Sequence, residues 1–374
     1  MGKGQGFDYN RGWCYSPDSK MLFTRNLKIM KEPGKNICII LAALVFFNLF
    51  CTDKRSLRQE NYLKDFFLKE NVKIAVVDSG LGGLSILAEA ANRMEKTRIF
   101  RRVEFVFYNA LFSSSGGYNT LTSKKEKIDI FNSALQSLYK KYSPDMILIG
   151  CNTLSVLLRD TDFYRRASLP VIGILETGVD IITEKIKTYP VSEVIITGTQ
   201  TTIYEESHRK KLMERGVSGD RIHTQACPEL VTFIEKDRRG EDTEMLILAY
   251  LDEAVQKMDR VPDPLLVSLN CTHYGYSLEL WKRALKELDI QNAVILDPNI
   301  SFVDDFLETA PTERFSRAEI SVSVVSMIKI GEEQIKSIGE WLKERSHQAA
   351  EALENYELKP DLFEWKKFIK PKTG

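Results

Sequence analysis

From Lys73 onward, short apolar runs alternate with longer stretches of helical spacing. Residues 74–77 (Ile-Ala-Val-Val) read as a first strand. Asp78-Ser79-Gly80-Leu81-Gly82-Gly83 follows as a turn into a helix that extends to about Asn92. Residues 102–108 alternate as a second strand, 124–142 carry helical spacing, and 146–149 form a third strand that leads into Cys151. A fourth strand, 170–174, ends near Glu176. The second half repeats the plan, with a strand at 193–197, the turn Gly198-Thr199-Gln200-Thr201-Thr202, and a helix over 205–215. A short strand at 221–225, helices over 228–235 and 244–257, a strand from Leu265 that ends at Cys271, and a last strand at 293–296 complete it. Apolar runs bounded by turn residues mark parallel strands buried on both faces, and their alternation with helices predicts an α/β fold of doubly wound parallel sheets. From Gly331 the pattern is helical and then charged, and residues 359–374 read as a surface tail.

Ahead of this body the pattern changes. Residues 37–51 are apolar except for Asn48, with Lys31 and Lys35 before them and Asp53-Lys54-Arg55 after. Fifteen residues is short for a membrane-spanning helix and suits a signal-peptide core. A start at Met21 or Met30 would restore a short basic leader, and Cys51 would then be a lipid-attachment site of the bacterial lipoprotein kind, although bulky Phe50 precedes it. Two localisations follow: export or membrane tethering through this segment, or a cytoplasmic protein with an unusual leader. Residues 52–71 read as a linker helix.

The chain has 374 residues, enough for two compact domains. Lys+Arg and Asp+Glu both number 52, so no basic excess points to a nucleic-acid partner. The six cysteines (14, 38, 51, 151, 227 and 271) lack the spacing of a disulfide framework.

Two of those cysteines stand in matching settings, 120 positions apart: Gly150-Cys151-Asn152-Thr153 and Asn270-Cys271-Thr272-His273. Each closes an apolar run and is followed by small hydrogen-bonding residues. An isolated cysteine at a strand end is most often a small buried hydrophobe. Two in equivalent places, where open α/β sheets bind their ligands, suggest opposed proton carriers acting on one small molecule. A helix N-terminus and His273 would ready such thiols for proton transfer. Cys271-x-His273 lacks a second ligand pair nearby, so a metal site is set aside. The glycines of the 78–83 turn admit close approach of a ligand, but the spacing is not that of a dinucleotide fingerprint.

With these residues in hand, Asp78-Ser79-Gly80-Leu81-Gly82-Gly83-Leu84-Ser85, Cys151-Asn152-Thr153, Gln225-Ala226-Cys227-Pro228 and Cys271-Thr272-His273-Tyr274 closely resemble the glutamate racemases of the aspartate/glutamate racemase superfamily. The motifs keep the family's order and spacing over about residues 73–310. The resemblance implies a cofactor-independent amino-acid racemase with two pseudo-symmetric α/β domains around a central cleft. It implies Cys151 and Cys271 as the acid/base pair, assisted by Asp78 and His273. Ser79, Asn152, Thr153 and Thr272 would bind the substrate, with Glu176 ranked lower and Cys227 read as core. Supply of D-glutamate for peptidoglycan is the role this implies.

One loop departs from the family. Where the family has an Asp-containing segment ending in Pro-Tyr-Gly, residues 108–118 read Tyr-Asn-Ala-Leu-Phe-Ser-Ser-Ser-Gly-Gly-Tyr. Asn109 replaces the acid, the proline is missing, and Gly117 and Tyr118 are the substitutes for the substrate contact. This leaves two alternatives open: a related racemase or isomerase of aspartate, a hydantoin or maleate, and a catalytically silent extracytoplasmic amino-acid-binding protein. The expected organisation is a leader and linker (1–72), a first domain (73–175 with 285–345), a second domain (176–284) and a C-terminal tail (346–374). The expected partners are an amino-acid substrate and, as an open alternative, a second copy in a homodimer.

Overall fold

The structure is a computed structural model that describes residues 54–369. The apolar segment at 37–51, Cys51 and the alternative starts lie outside the described residues. Among the described residues no helix is long and apolar enough to cross a membrane. The helix Lys54–Leu68 does more than link: Phe66 and Phe67 are buried, their rings 5.1 and 6.1 Å from that of Phe100.

The described residues hold ten strands in two sheets, every pairing parallel. They are β1 (Asn71–Asp78), β2 (Arg102–Asn109), β3 (Met146–Ile149), β4 (Val171–Gly173), β5 (Val194–Gly198), β6 (Ile222–Ala226), β7 (Leu265–Asn270), β8 (Ala293–Leu296), β9 (Glu319–Ser326) and β10 (Glu357–Leu358). The first sheet runs β10-β9-β2-β1-β3-β4 and the second β6-β5-β7-β8. β3 and β7 are buried along their whole length, which is why β3 is an unbroken apolar run and β7 is apolar apart from Ser268 and Asn270.

Each sheet has a reversal of strand order at a central pair. In the first, the chain goes from β1 out to β2, then back to β3 on the other side; in the second, from β5 to β6 and back to β7. The crevice outside the carboxyl ends of such a pair is where open α/β sheets bind ligands. β1 and β3 end at Asp78 and just before Cys151; β5 and β7 end before Thr199 and Cys271. Both cysteines therefore sit at switch points.

Three expectations are corrected. β8 pairs with β7 from Leu265↔Ala293 to Ser268↔Leu296, so this segment belongs to the second sheet and the first sheet resumes only at β9. β9 itself went unread because Ser321 and Ser323 interrupt its apolar positions, although it pairs with β2 over eight residues. The stretch expected as a tail is structured: it forms the helix His347–Glu354 and β10, and it buries Leu362 and Phe363. The helix expected over 205–215 is Ser207–Glu214, and the turn expected at 198–202 instead opens a separate helix, Gln200–Tyr204, divided from it where Glu206 takes φ 54°.

Candidate active site

Cys151 caps the short helix Asn152–Leu158, and it is 4% exposed; Cys271, directly after β7, is 6% exposed. Both thiols are free. The turn after β1 reaches both of them. Ser79 Oγ lies 3.2 Å from Cys151 Sγ. The preceding carboxylate, Asp78, accepts from Gly83 N at 2.7 Å and, through the same Oδ2, from Thr272 Oγ1 at 2.8 Å. Thr272 adjoins Cys271, whose sulfur is 3.7 Å from His273 Nδ1. One continuous run of contacts thus joins the two cysteines: Cys151, Ser79-Asp78, Thr272-Cys271, His273.

The glycines make this approach possible. A Cβ on Gly82 would lie 2.3 Å from Thr272 Oγ1, 2.6 Å from His273 Nδ1 and 2.8 Å from the His273 backbone nitrogen. One on Gly80 would lie 3.0 Å from the imidazole. Only residues without a side chain let the two strand-end loops come this close.

The other face of His273 meets a residue the sequence reading passed over. Glu235, at the end of the helix Leu230–Lys236, holds His273 Nε2 at 2.7 Å with Oε1. The same Oε1 accepts from Leu81 N at 3.0 Å, and Gln334 Nε2 donates to Oε2 at 2.5 Å. The only signal for Glu235 was a lone acid on the last turn of an apolar helix. Thr199 and Thr202 were also missed as site residues, although they follow β5 as Cys271 follows β7. Their hydroxyls lie 2.8 and 3.5 Å from that of Thr153.

Charge is distributed unevenly here. Burial would lower the pKa of His273, but its bonds to Cys271 and Glu235 outweigh that and hold it well above the ordinary value. Burial raises Glu235, yet the hydrogen bond and charge of His273 bring it below the usual carboxylate range. The two are a buried ion pair. Asp78 is pushed up to about 6 by burial, against the pull of His273. Burial, and then the negative charge of Asp78, push the Cys151 thiol far above the ordinary range, so it is protonated at neutral pH.

Several polar atoms face no protein partner. Both side-chain amide atoms of Asn152 are buried and without a hydrogen bond, as is the hydroxyl of Tyr118. The Tyr118 ring packs 5.1 Å from Phe112, and its hydroxyl is fully buried. Gly117 precedes Tyr118 and is spaced against Leu111. Asn109 is committed elsewhere: its amide donates to Ser326 Oγ at 3.2 Å and its oxygen accepts from Leu111 N at 3.0 Å.

Glu176 does not join this cluster. It is 40% exposed and held by Lys211 at 2.7 Å, Arg159 at 3.0 Å and Arg215 at 3.4 Å, which corrects its expected role. Cys227 is buried beside Gln225 O, as expected for a core thiol.

No family profile matches the chain. Individual relatives do. A glutamate racemase from Clostridium perfringens is 31% identical over 209 residues, 55% of this chain and 72% of the relative. One from Aquifex pyrophilus is 27% identical over 220 residues, 59% of this chain and 78% of the relative. Among solved structures, the glutamate racemase of Campylobacter jejuni aligns with a TM-score of 0.55 and 23% identity, over 72% of this chain and 98% of its own. That of Francisella tularensis, solved in complex with D-glutamate, aligns with a TM-score of 0.55 and 19% identity, over 74% and 96%. Two parallel-sheet lobes and relatives of this kind define a racemase that works without pyridoxal phosphate, an isomerase. Within that class, the chain belongs to the glutamate racemase family.

Proposed function

We propose that the protein interconverts L- and D-glutamate by proton transfer between two cysteines, and that its product serves peptidoglycan synthesis. The observation that carries the reading is the run of contacts from Cys151 through Ser79, Asp78 and Thr272 to Cys271 and His273. It links two thiols that follow strands of different sheets, which supports the reading. The curated relatives named glutamate racemase, and the relative crystallised with D-glutamate, support the choice of substrate.

In this reading the α-carbon of the amino acid lies between the two sulfurs. One cysteine, as thiolate, takes the α-proton and becomes a thiol. The electron pair left on carbon is delocalised into the carboxylate, and the planar intermediate accepts a proton from the other thiol on the opposite face. That sulfur leaves as thiolate, so the pair exchanges roles for the reverse direction. Protonated Cys151 fits the donor. Cys271 fits the acceptor, with His273 Nδ1 3.7 Å from its sulfur. Glu235 is a positioning residue that keeps the ring charged and oriented. The α-proton is weakly acidic, so donors must meet the developing charge on the substrate carboxylate in a site shielded from water. Asn152, with both amide atoms unpartnered, Thr153, Thr272 and Ser79 are the candidates, with Tyr118 closing the site from the 109–118 loop.

The test is exchange of the α-hydrogen for solvent deuterium in D- and L-glutamate, with Cys151→Ser and Cys271→Ser alongside. Loss of racemisation in each single variant is expected; full racemisation by both would overturn the mechanism. A second reading, a related substrate such as aspartate, is favoured by Asn109, whose amide is spent on Ser326 and Leu111. A substrate panel in the same assay separates the two.

A further inference from the structure

On the far side of the loop that follows Cys271, a pocket of about 590 Å³ opens between the segment 275–283, Arg238-Arg239 and the end of the helix Glu332–Lys343. Four arginines line it, 238, 239, 283 and 345, against two acids, Glu279 and Glu344. The rim arginines have partners. Arg283 Nε meets Glu244 at 2.8 Å, Arg239 and Arg345 share Glu344 at 3.9 and 3.3 Å, and Arg345 also lies 3.6 Å over the Trp341 ring. Glu279 is held by Lys282.

Arg238 differs. It is 5% exposed, anchored by its backbone nitrogen and Nε to Ser337 Oγ and O, both at 3.1 Å, while its carbonyl accepts from Ser277 at 2.8 Å. Among the described residues its two terminal guanidinium nitrogens have no carboxylate or carbonyl partner. A guanidinium fixed at one end, buried, and open at its fork toward a pocket rimmed by further cations is suited to bidentate contact with an oxyanion.

We propose that this pocket is a second ligand site, distinct from the cleft, that binds a phosphate group, free or as part of a phosphorylated small molecule, on the fork of Arg238. Glu244 and Glu344 pair the three rim arginines, so the open positive group the pocket offers an oxyanion is the fork of Arg238. The site also touches the cleft indirectly. Tyr276 forms part of the pocket wall, packs 4.9 Å from Trp341, and donates its hydroxyl to Leu81 O and Gly82 O at 3.0 and 3.2 Å. Those carbonyls belong to the turn that carries Asp78 and Ser79.

Titration calorimetry of the full chain with inorganic phosphate, and in a second arm with glycerol 3-phosphate, tests this. Saturable binding at one site is expected. It weakens about tenfold or more in Arg238→Met and less in Arg283→Gln, whose exposed rim position spares the fold. Ser79→Ala, in the cleft, keeps the wild-type affinity. Tighter binding of the ester identifies a phosphorylated metabolite as the occupant; equal binding identifies free phosphate. No saturable heat at millimolar phosphate overturns the proposal. So does affinity unchanged in both arginine variants, or affinity lost in Ser79→Ala, which would place the anion in the cleft. Because the readout is binding, failure of the racemase reading leaves this result interpretable.

Discussion

Replacing Asp78 by Asn isolates the electrostatic cost of the turn between the two cysteines. The carboxyl is almost fully buried, and Oδ2 accepts from Gly83 N and Thr272 Oγ1; an Asn carbonyl oxygen can accept both. Burial raises the pKa from 3.8 to about 6, so the folded protein binds this proton more tightly than the unfolded chain does. The stabilising contribution of that proton is complete below 3.8 and is lost as pH rises through 6. At roughly 1.4 kcal/mol per pKa unit, the gap amounts to about 3 kcal/mol. Asn carries no charge at any pH and escapes this penalty. Asp78→Asn is therefore expected to be more stable than wild type by on the order of 2–3 kcal/mol at pH 8, with the difference shrinking toward zero near pH 4. Urea unfolding at both pH values measures it, and deuterium exchange on the same samples should fall sharply as the carboxylate is lost. A variant less stable than wild type at pH 8, or a difference that does not depend on pH, would refute the reasoning.

Other perturbations have equally definite outcomes. Gly82→Ala sets a methyl against the His273 backbone, which no rotamer change relieves; about 1–3 kcal/mol of stability and about a hundredfold in turnover should go, seen by thermal melts and exchange rates. Glu235→Gln removes the charge of one of the two groups that hold His273 above its ordinary value, so the opposing effect of burial lowers the ring's pKa relative to wild type. Turnover should drop about tenfold to a hundredfold and the His-dependent limb of its pH profile should move to lower pH, while Gln334→Ala leaves that limb in place. Glu176→Ala, which removes ion pairs to three partly or fully exposed cations outside the cysteine cluster, should leave exchange rates unchanged and stability within about 1 kcal/mol. Leu362→Ala, in the stretch expected as a tail, should cost about 2–5 kcal/mol in urea unfolding, whereas a true surface tail would lose almost nothing.

Central β3 was legible because burial on both faces makes it a continuous apolar run at 146–149, and the half-buried edge strand β8 stands where the short apolar run 293–296 suggested. The cysteines, Asp78, Ser79, Thr272 and His273 stood out through their place after those strands together with family motifs, and a run of contacts links them. What went unread depends on distant partners. β9 is stabilised by β2, more than 200 positions earlier, and its serines conceal it locally. Glu235 gains its meaning from an imidazole 38 positions away, and nothing in its own helix marks it. Glu176 misled because a position near a strand end says nothing about the direction of the side chain, which here turns toward three surface cations.

The interpolation of β9 between β2 and β10 has a consequence for synthesis on the ribosome. β5 to β8 form a sheet from one contiguous stretch of chain, so that half can pair up during translation. β2 keeps an unpaired edge until residues 319–326 emerge, long after its own neighbours are in place. Nascent protein of this kind carries a sticky flank for most of its elongation, and chaperones that shield strand edges should bind it there.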